Sequence, residues 1–121
     1  MGKTERESTA MRATTSPSLD LVFNLLSVRR RRYALYYLTE QTDGITTFDK
    51  LVDDILAREA DSENREEHKQ QIQTSLQHVH LPRLEDAGIL EYDARSDTVR
   101  YWQQPTLEEW LEHARHKEFI D

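Results

Sequence analysis

The chain has no cysteine, only three glycines and only three prolines in its 121 residues. Without cysteine there are no disulfides and no thiolate metal ligands, and nothing follows about redox compartment. Gly2, Gly44 and Gly88 lie far apart, so no glycine-rich loop can cradle a phosphate. A cysteine nucleophile is excluded as well. Apolar runs are too short to span a bilayer, and no signal-peptide core precedes a small-residue cleavage site. The reading is a cytoplasmic protein without a membrane segment.

Charge is plentiful. There are 16 basic and 23 acidic residues, a net charge of −7, and charged residues make up 32% of the chain against 36% hydrophobic ones. That is a wet surface over one modest core, within the globular range. The charge is polarised. Residues 1–40 carry seven basic and four acidic side chains, net +3, and residues 41–121 carry nine and nineteen, net −10. Local field governs binding more than net charge does. Lysine is limited to Lys3, Lys50, Lys69 and Lys117. Such a surface, low in lysine and rich in acid, hints at adaptation to salt.

Residues 1–15 are polar and aperiodic and read as a disordered tail. Ser16 or Ser18 can cap a first helix, with Pro17 suited to a first helical position. Leu19, Leu21, Val22, Leu25 and Leu26 then have helical spacing. In SVRRRRYALYYL, residues 27–38, a second helix places Val28, Arg31, Leu35 and Leu38 on one face at ~100° per residue. Arg31 is expected at the core margin, paired with a carboxylate. Arg30, Tyr33 and Tyr37 fall roughly opposite; Arg29, Arg32 and Tyr36 form a third stripe. The four arginines are therefore not one patch, and only Arg29 and Arg32 could meet phosphate.

Thr42-Asp43-Gly44 is a turn, and Ile45 can make a short β contact. Thr46 or Thr47 caps a helix with Phe48, Leu51, Val52, Ile55 and Leu56 as its stripe. A charged connection with caps at Asp61 and Ser62 leads to a third long helix, with Ile72, Leu76 and Val79 in phase. Leu81 and Leu84 break that phase beside Pro82, which predicts a bend near residues 80–82. Gly88 ends the helix in a left-handed cap. Residues 89–92 and 99–102 are β-prone around a turn, a hairpin signal. After Pro105, Thr106-x-x-Glu109 reads as a capping box for a last helix striped with Leu107, Trp110, Leu111 and Ala114.

LPRLEDAGILEYD, residues 81–93, resembles the end of a recognition helix running into the wing of a winged helix-turn-helix domain, through Leu81, Leu84, Ala87, Gly88, Ile89 and Leu90. LLSVRRRRYALYYL, residues 25–38, is similar to the first helix of the same regulators. With HVHLPRLEDAG, residues 78–88, the chain resembles the small haloarchaeal winged helix-turn-helix proteins, related to the arsenic-repressor-like transcriptional regulators. The resemblance covers about residues 19–102. It implies a mainly α fold with a small β-hairpin, a winged helix-turn-helix with an extra C-terminal helix. The division is a tail over 1–15, a winged-helix domain over 16–104, and a helix over 105–121 for dimerisation.

A winged helix sets its third helix in the major groove and its wing against the backbone or minor groove. The expected DNA contacts are Gln70, Gln71, Thr74, Ser75, Gln77 and His78 on helix three, and Arg95 on the wing. The bland alternative is an ordinary solvated helix face. The acidic start of helix three, Glu63, Glu66 and Glu67, suits its dipole but not phosphate. It motivates a second reading, a protein-interaction module on the same scaffold. Tyr33, Tyr37, Leu107, Trp110, Leu111 and Ala114 are expected at a homodimer interface; the bland alternative packs the last helix on its own domain. His113 and His116, a turn apart with Glu109 or Glu112, make a weak metal set, so no metal or cofactor is expected. Asp53-Asp54 and Glu108-Glu109 read as solvent-facing pairs with no catalytic character, and no enzyme activity is expected.

Overall fold

Ser18 opens the first helix, its Oγ accepting the Leu21 N–H at 3.1 Å. A computed structural model describes residues 17–59 and 63–119; the expected tail over 1–15 and caps at Asp61 and Ser62 lie outside those residues. Helix α1 spans Leu19–Leu26. Pro17 therefore precedes the cap and does not occupy the first helical position. Val22, Leu25 and Leu26 are buried, while Leu19 and Phe23 face outward.

Helix α2, Arg29–Glu40, follows after one turn, with Val28 as its extended N-cap. Val28 is partly exposed and not on the core stripe expected for it. Arg31 is buried, but its partners are not carboxylates. Its guanidinium donates to the Leu25 and Asn24 carbonyls, both at 2.8 Å. The last carbonyls of a helix lack partners within it and carry the negative end of its dipole. Arg31 satisfies both needs of α1.

Gly44 turns the chain at φ +72° into strand β1, Ile45–Thr47. Thr47 Oγ1 accepts the Lys50 N–H at 3.2 Å and starts helix α3, Phe48–Glu59. Its buried residues are Phe48, Leu51, Val52, Ile55 and Leu56, the expected stripe. Asn64 caps helix α4, Arg65–Ser75, by accepting the Glu67 N–H. A π-helical segment, Leu76–His80, and helix α5, Leu81–Asp86, continue it without a gap. Gly88 (φ +76°) closes the run: Ile89 N–H reaches the Leu84 carbonyl and Gly88 N–H that of Glu85, each at 3.0 Å. Those two bonds define the Schellman stop expected at this glycine.

Strands β2, Leu90–Asp93, and β3, Thr98–Tyr101, form the hairpin. β1 joins β3, giving an antiparallel sheet in the order β1-β3-β2 with Ile45 opposite Arg100 and Leu90 opposite Tyr101. Helix α6 spans Pro105–Phe119. Pro105 fills its first position, which needs no donor. The capping residue is Glu108, not the expected Thr106–Glu109 pair: its Oε2 accepts the Gln104 N–H at 3.1 Å and the Tyr101 hydroxyl at 2.6 Å. Glu108 is thus turned inward, contrary to its reading as a solvent-facing acid.

The expected fold class is the one observed: mainly helical, with a small antiparallel sheet, in the order of a winged helix-turn-helix with an added C-terminal helix. α2, α3 and α4–α5 enclose the core with the sheet at one edge, and α6 packs across α1 and α2.

Candidate nucleic-acid interface

The long third helix is where the structure departs most from a simple helical repeat. Between Leu76 and His80 it widens to a π turn, and the Leu81 N–H bonds the Leu76 carbonyl five residues back. One extra residue per turn resets the phase. Ile72, Leu76, Leu81 and Leu84 then all reach the core. The expected bend near Pro82 is realised as this register shift. It also moves Val79, expected in phase with Ile72 and Leu76, out to 53% exposure, and brings His80 in to 7%.

His80 Nδ1 is buried with no hydrogen-bond partner among the described residues. Burial, followed by the nearby charges of Arg31 and Arg30, lowers its pKa to about 4. The imidazole is neutral at ordinary pH.

The helix is braced from behind. Arg30 holds Glu59 bidentately, at 2.8 and 2.7 Å, and also donates to Ser75 Oγ at 3.0 Å. His68 Nε2 lies 2.9 Å from the same Glu59. Burial works against the Glu59 carboxylate, yet the bonds from Arg30 and His68 hold its pKa below the usual range. Arg30 therefore ties α2, α3 and α4 together; it does not join a tyrosine surface. The Ser75 hydroxyl donates to the Ile72 carbonyl at 3.2 Å, and the residue is half-buried. Its hydroxyl serves the scaffold at the edge of the outward face.

Gln70, Gln71, Thr74, Gln77 and His78 are all exposed. All but Gln77 line, with Glu67, Ser75 and Val79, one shallow depression of ≈ 520 Å³ on the outer side of the helix. From Gln70 through Pro82 there is no Asp, Glu, Lys or Arg, in a chain of which 32% is charged. The charges stand at the N-terminal end. There Arg65 and Lys69 are matched by Glu66 and Glu67, and Lys69 reaches Asp53 at 3.4 Å.

The wing turn is anchored by Phe48 N–H on the Asp97 carbonyl at 3.0 Å, with Asp97 at φ +59°. Arg95 N–H bonds Asp93 Oδ1 at 3.0 Å, a local turn. The Arg95 guanidinium is exposed and makes no ion pair among the described residues. Arg95 and Arg100 face Glu91, Asp93 and Asp97 on the hairpin, so the wing carries a net −1.

Of the residues expected at a dimer interface, Tyr33, Leu107 and Leu111 are buried within the single chain. Leu107 and Leu111 belong to the core, and Tyr33 stacks near Tyr36 and Phe119. They pack on their own domain and leave Tyr37 and Ala114 half-buried and Trp110 36% exposed. Trp110 meets Phe23 edge-on, ring centroids 5.2 Å apart, so α1 and α6 share an outward apolar patch with Leu19. Arg32, expected as a free cation, is engaged: Glu118 accepts from it at 3.0 and 2.8 Å and from the Tyr36 hydroxyl at 2.6 Å. Among the described residues no three His, Asp or Glu side chains gather as metal ligands, and no helix is long and apolar enough to cross a membrane.

These elements define a winged helix-turn-helix fold with an additional helix at each end, its long third helix interrupted by a π turn. A family model described as "Domain of unknown function (DUF7344)" matches residues 23–100, and the chain belongs to that family. No curated protein and no solved structure matches the chain.

Proposed function

We propose that the protein is a cytoplasmic transcriptional regulator that binds duplex DNA as a homodimer, through α4, the π turn and the wing. The reading extends to its kin, the haloarchaeal winged-helix proteins related to arsenic-repressor-like regulators. The observation that carries it is the uncharged outer face of the third helix. Glutamine pairs bidentately with adenine, and threonine and histidine reach either bases or phosphate. Gln70, Gln71, Thr74, Gln77 and His78 present those groups where a winged helix enters the groove. The apolar patch of Leu19, Phe23 and Trp110 supports self-association through α1 and α6.

The test is gel retardation of a random-sequence duplex pool at graded salt. Affinity should depend only shallowly on salt, because few unpaired cations face the duplex. Thr74→Ala with His78→Ala should change the selected sequences, while Arg95→Ala weakens all sequences alike and lowers the salt slope by about one. If no duplex is retarded at any salt at which the protein stays folded, the reading is wrong.

One observation favours a second reading, a protein-interaction module. Residues 41–121 carry a net −10, and the wing shares that sign. Co-purification of a stoichiometric protein partner, with no duplex retained, supports it.

A further inference from the structure

Val79 and His80 have exchanged the places that burial preference assigns them. Val79 follows Leu76 by three residues and would share the core stripe of an unbroken α-helix, as Ile72 and Leu76 do. The π turn turns it outward to 53% exposure and puts His80 inside at 7%, with Nδ1 unpartnered among the described residues. Each half of the exchange costs stability. An exposed valine forgoes its burial, and a buried ring nitrogen without a partner is penalised. The register shift that seats Leu81 and Leu84 in the core thus leaves an apolar side chain outside, and π turns are frequent at functional sites.

The surroundings of Val79 say which function. It stands on the outer face of the recognition helix, in the same depression as Thr74 and His78, and within the charge-free run Gln70–Pro82. In the major groove the one apolar group a base pair offers is the C5-methyl of thymine. Resting on the DNA reading above, the geometry points to Val79 as a specificity residue that packs against a thymine methyl, next to the base or phosphate held by His78. The π turn supplies the rotation that brings it there.

Deoxyuridine tests this directly, since it pairs as thymine does and lacks only the methyl. Duplexes are first selected from a random pool with the native protein. Each thymine of the selected site is then replaced in turn by deoxyuridine. At one position per half-site the native protein should lose about fourfold in affinity, the worth of one buried methyl. Val79→Ala should bind the thymine duplex about fourfold more weakly and bind thymine and deoxyuridine duplexes equally. Its thermal melting should be unchanged, because Val79 is outside the core. Equal binding of every deoxyuridine duplex by the native protein, or persistent discrimination by Val79→Ala, overturns this inference and leaves the DNA reading standing. Failure to select any duplex overturns both.

Discussion

Arg31 directs its buried guanidinium at the Leu25 and Asn24 carbonyls. Burial, with Arg83 a lesser cause, lowers its pKa from an ordinary value so high that it remains a cation. Glu118 is held below the usual carboxylate range by the Arg32 bond, against burial and with help from Tyr36. Burial and the Glu118 bond push the Tyr36 hydroxyl well above its ordinary pKa. His80 is the residue with a pH signature of its own. Its folded pKa of about 4 lies below the 6.5 of a free imidazole. Below 6.5 the unfolded chain therefore binds more protons than the folded one. Stability is complete above that value and drains as pH falls toward 4, by up to about 3 kcal/mol. Glu40, Glu59 and Glu118, with lowered values, lose their contribution only below about 4.5. His80→Leu should flatten the urea midpoint between pH 6.5 and 4.5 and leave the acid limb below that intact. An unchanged slope in the upper window refutes the assignment.

At the scale of elements, connections matter as much as helices. Gly44 joins α2 to β1 with φ +72°, and a Cβ there would stand 2.7 Å from the Tyr101 carbonyl oxygen. Its own carbonyl accepts the Tyr101 N–H at 2.8 Å, so the close approach belongs to the sheet edge and cannot relax by moving a side chain. Gly44→Ala should cost about 2–3 kcal/mol, from the left-handed conformation and the displaced backbone together. A urea titration followed by circular dichroism measures it; a loss under 0.5 kcal/mol (about the uncertainty of such a titration) would show that the turn yields freely. The third helix makes the complementary point. The hydrophobic phase break between Val79 and Leu81 was visible in the sequence, and a bend at Pro82 was the expected response. The register change answers the same break and decides which side chains face out.

At the scale of the whole molecule, α6 is an integral layer. Leu107 and Leu111 are buried, and the end of the helix brings Phe119 against Tyr33 and Tyr36 while Arg115 lies 4.7 Å over the Tyr36 ring. Arg115 and Arg58 share Glu40. Losing two buried leucines alone removes about 3–6 kcal/mol, comparable with the lower part of the ~5–15 kcal/mol that a small domain has in total. A chain ending at residue 104 should show no cooperative thermal unfolding transition. A sharp, native-like transition in that truncation would show that residues 16–104 stand alone. The same burial takes Tyr33, Leu107 and Leu111 out of the expected dimer surface, while Trp110, Phe23 and Leu19 stay exposed.

Local chemistry is what the sequence by itself determined. Helix stripes at Leu51–Leu56, the stop at Gly88 and the hairpin after it depend on residues a few positions apart. Periodicity and turn preferences read such distances directly. The winged-helix class was implied by the resemblance carried by residues 25–38 and 78–93. Tertiary structure alone decided what each arginine of residues 29–32 does. Arg30 meets Ser75 across 45 positions, and Arg32 meets Glu118 across 86. It also buried Tyr36 beneath α6 and exchanged Val79 for His80 at the surface. Those outcomes depend on which distant element covers a given face, and a hydrophobic period records that a face is covered without recording by what.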